Sequence, residues 1–223
     1  VDAEITPELL TNDDIWMLSR LNLAIQELSK AFDEYNFAEA IQILYRFFWN
    51  EYCDWYVEAA KASLNSDNPK LKENTLAVID FILSNTLRLF HPFLPFITEE
   101  LWQGMGYSND MPEDQGGKTI MNAPFPKPFD QDFLEFYNIK EEILTFVTAK
   151  YDLVVMGRNL RREGNVASSK KVRFVIKPLT QIDQHDLSVL KVLLHAEPLD
   201  VQPGYEPTKG TPSKGSAWSS TFR

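Results

Sequence analysis

The stretch from Asn36 to Lys61, NFAEAIQILYRFFWNEYCDWYVEAAK, runs for 26 residues without a proline or a glycine and holds two of the five tryptophans. Strands end after about five or six residues, so this run predicts one helix of about seven turns at 3.6 residues per turn. Phe37, Ile41, Leu44, Phe48, Tyr52, Trp55 and Ala59 recur at steps of three or four, and Tyr45, Trp49 and Tyr56 form a second apolar row beside them. A helix apolar over so wide an arc is expected between partners. Its rings are spaced for burial, which suits a core and not a base-stacking platform, since stacking needs exposed rings. Glu39, Gln42, Arg46, Asn50, Asp54, Glu58 and Lys61 keep the same period on the remaining side, the narrow face left for water or a ligand.

Other helices are predicted around it. Val1 to Thr11 reads as a lead-in, after which Asn12 or Asp13 caps a helix whose stripe is Ile15, Leu18, Leu21, Ile25, Leu28 and Phe32. Tyr35 and Asn36 form a turn so short that the first two helices must be antiparallel neighbours. After a polar break at Ser63 to Pro69, Leu71 to Phe90 resumes the period, with Leu76, Ile79, Leu83, Leu87 and Phe90 toward the core. Pro92 and Pro95 predict a kink near His91 and a short helix ending by Gly104. Gly104 to Pro128 is loop-like and marks the expected boundary between a helical-bundle domain, 1–127, and a small α/β domain, 128–223.

In the second part, Asp130 or Asp132 starts a long helix carried by Phe133, Phe136, Ile139, Ile143, Phe146 and Val147 through to Leu160, with Gly164 at its end. Lys171 to Pro178 alternates as a strand with one wet face, Asp186 to Ala196 reads as a helix and Leu199 to Gln202 as a short strand. Tyr205 to Ser216 reads as a mobile loop before a last strand at Ala217 to Phe222. The predicted class is mainly α, an antiparallel helical bundle followed by a small α/β domain.

Charge divides the chain. The formal total of −10 opposes indiscriminate nucleic-acid binding, yet from Lys150 to Lys177 eight bases face only Asp152 and Glu163, whereas Val1 to Tyr45 holds nine acids against Arg20 and Lys30. One cysteine, Cys53, excludes an internal disulfide and a multi-cysteine metal site, suits a reducing compartment such as the cytoplasm, and reads as a small buried thiol. No apolar run approaches the roughly 20 residues that span a bilayer, so no membrane partner is expected. The opening valine, with no charged-then-apolar leader, suggests an excised piece without a secretion signal. There is no Gly-rich phosphate loop, zinc spacing or nucleophile elbow. His91, His185 and His195 are scattered and read as structural, and the adjacent Glu99 and Glu100 point apart on a helix. No catalytic residue, metal ligand or cofactor is expected, and the chain by itself is expected to be non-catalytic.

Three segments carry a resemblance. DDIWMLSRLN (Asp13 to Asn22), FFWNEYCDWYVEAAK (Phe47 to Lys61) and NTLRLFHPFLPFITEELW (Asn85 to Trp102) together resemble the anticodon-binding helical domain of class I aminoacyl-tRNA synthetases. CDWYVE followed by Lys61 looks like the valyl form and not the isoleucyl or leucyl one, and RNLRREGNVASSKKVRFVIKP (Arg158 to Pro178) is similar to the segment that follows the domain in valyl enzymes. The resemblance spans about Asp13 to Pro178. It implies a monomeric, tRNA-binding fragment of an enzyme that attaches valine to its tRNA with ATP and Mg, whose catalytic and editing domains would lie upstream in the same polypeptide. The His-Ile-Gly-His and Lys-Met-Ser-Lys-Ser signatures of such catalytic domains are not in this sequence.

The resemblance also gives the basic island a role. RNA affinity is largely phosphate contact, and Arg158, Arg161 and Arg162 stand at i, i+3 and i+4, with Lys170, Lys171 and Arg173 following on a loop and strand. These six are expected to track the tRNA backbone, while Arg46, Asn50 and Lys61 are offered to anticodon bases. Competing readings are that Arg161 and Arg162 dock the second domain against acids, that Arg46 forms a surface salt bridge, that the domain serves an isoleucyl or leucyl enzyme, or that the chain is a helical scaffold whose basic face binds an acidic protein.

Overall fold

The computed structural model describes residues 4–167, 169–178 and 181–203; the loop and strand predicted at Tyr205 to Phe222 lie outside them. Helix α1 (Asn12–Asp33) starts one residue earlier than expected because Thr11 is the cap. Its hydroxyl accepts from the Asp14 amide at 3.1 Å, while the Asp14 carboxylate accepts from the Thr11 amide at 2.9 Å, a reciprocal capping box. Ile15, Leu18, Leu21, Ile25 and Leu28 are buried as the spacing requires. Tyr35 takes the left-handed backbone (φ 55°) in the turn, and Asn36 caps the next helix by accepting from the Glu39 amide.

The aromatic stretch is helical throughout, but its turns are not uniform. It comprises α2 (Phe37–Tyr45), a π-helical segment (Arg46–Tyr56) and α3 (Val57–Leu64), and the Val57 amide bonds the carbonyl of Tyr52, five residues back. At 3.6 residues per turn, one inserted residue rotates everything beyond it by about 100°. A single-period row aligned on Tyr52 and Ala59 therefore places the upstream rings on the wrong side. The buried row is Ala40, Ile43, Leu44, Phe47, Tyr52, Tyr56, Ala59 and Ala60, with a step of five at Phe47 to Tyr52. Phe37, Ile41, Tyr45 and Trp49, expected in the core, stand at four-residue steps outside and are 52, 53, 59 and 53% exposed. Water thus meets an aromatic row as well as the polar face, and Tyr45 and Trp49 stack on each other at 6.1 Å.

Helix α4 (Pro69–Phe90) also turns a different side inward. Leu87 is buried as predicted, but Leu76 is 54% exposed, and the innermost row runs through Thr75, Val78, Ile82, Thr86 and Leu89. Its polar members hide the row from a purely apolar pattern; Thr86 bonds its own helix, Oγ1 donating to Ile82 O at 2.7 Å, as Asn85 beside it does through Nδ2 to Phe81 O at 2.8 Å, whereas the Thr75 hydroxyl is buried without a hydrogen-bond partner among the described residues. The chain kinks at His91 to Leu94 and resumes in α5 (Pro95–Gly104). The glycine-rich loop beyond is packed, not open. It contains α6 (Tyr107–Asp110), and Trp102, Tyr107, Ile120 and Leu87 form a small core of their own. Trp102 Nε1 donates to Gly116 O at 2.9 Å, and a Cβ at Gly116, where φ is 106°, would come within 2.7 Å of the indole.

The long helix predicted from Asp130 is two helices. Asp130 caps α7 (Gln131–Phe136); Asn138, at φ 53°, ends it, and α8 (Glu141–Glu163) follows. The Ile139 amide bonds Leu134 O at 2.9 Å, five residues back, the closing bond of a helix C-terminus. Strand β1 (Val172–Ile176), helix α9 (Gln184–Leu194) and strand β2 (Ala196–Val201) complete a small β-α-β unit. The strands pair in parallel, Val172 with Ala196 and Phe174 with Leu199, the partner advancing by three residues for two across Glu197 and Pro198, whose proline offers no amide donor. Gly157 of α8 lets α9 come close, since a Cβ there would lie 2.3 Å from Leu194 Cδ2.

The apolar core crosses the composition boundary near residue 127. A continuous cluster runs from Met17, Leu21 and Tyr56 to Val154, Val189 and Leu194. At its centre Lys150, fully buried on α8, donates to Asp13 Oδ2 of α1 at 2.7 Å and to Asp186 Oδ1 of α9 at 2.6 Å. Tyr151 donates to Asp13 Oδ1 at 2.7 Å, Asn12 to Asp186 Oδ2 at 2.9 Å and Tyr56 to Asp14 Oδ1 at 2.6 Å. Burial works against the Lys150 charge, but the two carboxylates outweigh it and hold its pKa above the ordinary value. Burial likewise raises the Tyr56 and Tyr151 hydroxyls well above 10.

Candidate nucleic-acid interface

The six bases of the island lie on the last two turns of α8, the loop into β1 and the start of β1, but they are not equivalent. Arg158 is exposed, with its guanidinium carbon 5.0 Å over the ring of Trp55. Trp55 is half-buried and stacks on Tyr151 at 4.6 Å and 13°, and Trp16 meets the other side of the system edge-on, 5.1 Å from Tyr151. A guanidinium laid on an indole keeps its edge donors free for a second ligand. Arg162 and Lys170 are exposed and have no ion pair among the described residues. Lys171 pairs with Glu197 at 2.5 Å and Arg173 with Asp200 at 2.7 Å, both pairs across the edge of the small sheet. Exposed pairs of this sort are held weakly and exchange readily for a phosphate.

Arg161 departs from the expectation. The i, i+3, i+4 pattern places it beside Arg158 and Arg162, yet it is only 8% exposed. Its guanidinium donates to Leu194 O at 3.2 Å, His195 O at 3.4 Å, Ala167 O at 2.8 Å and Lys170 O at 2.6 Å. An arginine so engaged presents no donor fork to a phosphate, so it leaves the outward-facing set. The acceptors named here are backbone carbonyls within the second part of the chain, not the bundle acids against which a docking role was weighed for it.

The three bundle candidates lie elsewhere. Arg46, at the start of the π segment, forms a short ion pair with Glu27 of α1, the salt bridge weighed against RNA contact. Asn50 is exposed one turn later, beside the outward Tyr45 and Trp49. Lys61 pairs with Glu58 at 2.6 Å on α3, less than two turns beyond Trp55, and so lies nearer the island than Arg46 does. Arg20 makes a two-pronged contact with Glu51 at 2.9 and 2.5 Å, so the open cleft of about 530 Å³ between α1 and α8 is rimmed by Glu141 and Asp152 with its arginine already engaged, a poor phosphate site.

The histidines have structural partners: His91 Nδ1 lies 2.7 Å from Thr98 Oγ1, His185 Nε2 2.9 Å from Ser63 Oγ, and His195 Nε2 3.2 Å from Ser169 O. Cys53 is half-exposed, not buried, and partial burial with the neighbouring Asp54 raises its pKa. Asp13, His185 and Asp186 bring ligand atoms together, but the Lys150 ammonium already sits between the two carboxylates. The Trp55, Tyr151 and Arg158 ladder was missed in the sequence because its members lie a hundred residues apart; the single local signal was a cation in the last turns of a helix following a buried tyrosine.

Comparison with known proteins covers most of this chain. Residues 14–176 fit the family model described as the anticodon-binding domain of tRNA ligase. The chain is 33% identical over 195 residues to a valine–tRNA ligase of Latilactobacillus sakei, covering 86% of this chain and 20% of that protein. It is 38% identical over 164 residues to those of Geobacillus stearothermophilus and Lactobacillus johnsonii, covering 74% of this chain and 17% of each. The chain therefore spans about a fifth of the length of the curated relatives it matches. Since the matched region takes in nearly all of the bundle, Lys150 itself and the basic edge up to Ile176, the chain belongs to the family of anticodon-binding domains of tRNA ligases.

Proposed function

We propose that this chain is the tRNA-gripping part of a valine–tRNA ligase: the bundle meets the anticodon arm and the edge formed by Arg158, Arg162, Lys170, Lys171 and Arg173 follows the phosphate backbone. The observation that carries the reading is that a chain of net charge −10 keeps Arg158, Arg162 and Lys170 exposed and without an acidic partner among its described residues. Counterion release at such an edge supplies affinity without sequence reading. Sequence reading falls to the bundle surface, where Asn50 stands beside exposed rings suited to splayed bases. Valine as the amino acid is supported by the names of the relatives. ATP with Mg, the joining reaction and the editing step belong to further domains of a parent enzyme working in the cytoplasm, with this chain acting as a single copy.

Fluorescence anisotropy with valine and isoleucine tRNA transcripts tests the proposal. The chain should bind valine tRNA more tightly, and Arg158→Ala and Arg162→Ala should each reduce the slope of log affinity against log salt by about 1. Equal binding to any polyanion, with slopes unchanged in both variants, would overturn it in favour of an acidic-partner scaffold.

A further inference from the structure

Arg161 stands in the middle of the basic edge and faces away from it. It belongs to the last turn of α8, and the carbonyls it engages come from two other places: Leu194 and His195 at the C-terminal end of α9, and Ala167 and Lys170 in the loop leading to β1. The end of α9 is where unpaired carbonyls and the negative pole of a helix dipole gather, so a buried cation is well placed there. His195 reinforces the junction: it takes the left-handed backbone (φ 51°), its own carbonyl accepts from Arg161, and its Nε2 lies 3.2 Å from Ser169 O. The main chain of the loop is tied to Arg161 as well, since the Val166 amide donates to Arg161 O at 2.9 Å, and the loop closes on itself where the Lys170 amide donates to Ala167 O at 3.0 Å.

We infer that Arg161 is a positioning residue for RNA: it fixes the turn that carries Lys170 and Lys171 at a set distance from Arg158 and Arg162, so that cations from two separate segments form one phosphate-following edge. The inference rests on the tRNA-binding reading above. Acceptors on two segments explain why an arginine is needed. Its planar fork reaches all of them at once, whereas the compact ammonium of lysine, with the same charge, offers three donors from one point. Lys170 illustrates the consequence. Its carbonyl is held inside by Arg161 at 2.6 Å while its side chain stands exposed, so the backbone anchor dictates where the charge projects.

The test uses the full 223-residue chain, with Arg161→Gln and Arg161→Lys as variants and far-UV circular dichroism to establish that both are folded. In the absence of RNA, trypsin should cut after Lys170 and Lys171 faster in both variants than in the parent chain. With valine tRNA, both variants should bind about ten-fold more weakly, with the salt slope reduced by about one to two because the two loop lysines leave the edge. In a Lys170→Ala/Lys171→Ala background, Arg161→Gln should add nothing further; in an Arg158→Ala background its effect should persist in full. Rescue by Arg161→Lys would show that charge and not position matters and would overturn the inference. So would an effect that persists undiminished without the loop lysines, as direct phosphate contact requires, or unchanged trypsin cutting. Failure of the parent chain itself to bind tRNA would instead overturn the proposed function and, with it, the RNA role of Arg161; binding by the parent chain with unaltered variants overturns the positioning role alone.

Discussion

Lys150 and Arg162 stand twelve residues apart on α8, about 18 Å along its axis, and represent opposite uses of a positive charge. Lys150 is fully buried, with both neighbouring acids at hydrogen-bond distance, whereas Arg162 is exposed and in no ion pair among the described residues. The first charge is spent inside the molecule, joining α1, α8 and α9 across the boundary that composition suggests. The second is available to a partner. Arg161, adjacent to Arg162, belongs with Lys150, which shows that a basic run is not one functional unit: helical phase sorts neighbours in sequence into internal braces and external contacts.

Breaking the internal side should have the largest effect. Lys150→Met leaves Asp13 and Asp186 buried without their cation and should destabilise the fold by about 3 to 5 kcal/mol, read from urea denaturation; a loss below 1 kcal/mol would mean that the three elements do not depend on the charge centre. Alkaline pH attacks the same centre from the solvent side. Burial raises Tyr52 to about 12 and Tyr56 and Tyr151 well above 10, and the acids around Lys150 raise it above 10.5. Between pH 10 and 12 the folded state therefore keeps protons that the unfolded chain releases. Stability is full below pH 10 and should fall as pH rises, with the tyrosinate absorbance of these three buried rings appearing as the chain unfolds. Titration of these tyrosines near 10 in a still-folded chain would contradict their burial.

Smaller effects sharpen the contrast. Gly157→Ala places a methyl 2.3 Å from Leu194 Cδ2, with Phe174 Cε1 at 3.3 Å behind it, and should lower stability by about 1 to 3 kcal/mol by forcing α8 and α9 apart. Thermal melting would detect it, and an unchanged Tm would show that the contact yields without strain. Arg173→Ala removes an exposed pair with Asp200 and should shift stability by no more than about 0.5 kcal/mol, while still reducing the salt slope for tRNA by about 1. A large stability loss there would move Arg173 to the internal side of the comparison.

Helix positions were legible wherever caps, prolines and apolar stripes agreed. The α1 stripe from Ile15 to Leu28, the end of α5 at Gly104 and the alternating β1 all stand where local chemistry places them. Facing was less legible. The π segment changes phase between Phe47 and Tyr52, and no local signal distinguishes five residues from four among consecutive bulky rings. Thr86 of the α4 row enters the core because its hydroxyl satisfies itself on its own helix, which an apolar pattern cannot register, and Thr75 is buried in the same row with its hydroxyl unbonded among the described residues.

The basic run from Arg158 to Lys177 and the CDWYVE core pointed to the family and to the part of the chain where a phosphate edge should lie. Charge and composition are properties of the residues and need no fold to be read. Which cations face out was decided by the tertiary structure alone. Lys150 meets Asp13 and Asp186 from segments 137 and 36 residues away, and Arg161 meets carbonyls 33 and 34 residues away at the end of α9. Partners that distant leave no trace in local periodicity, and it is the partner, not the residue type, that turns a positive side chain into a brace or a contact.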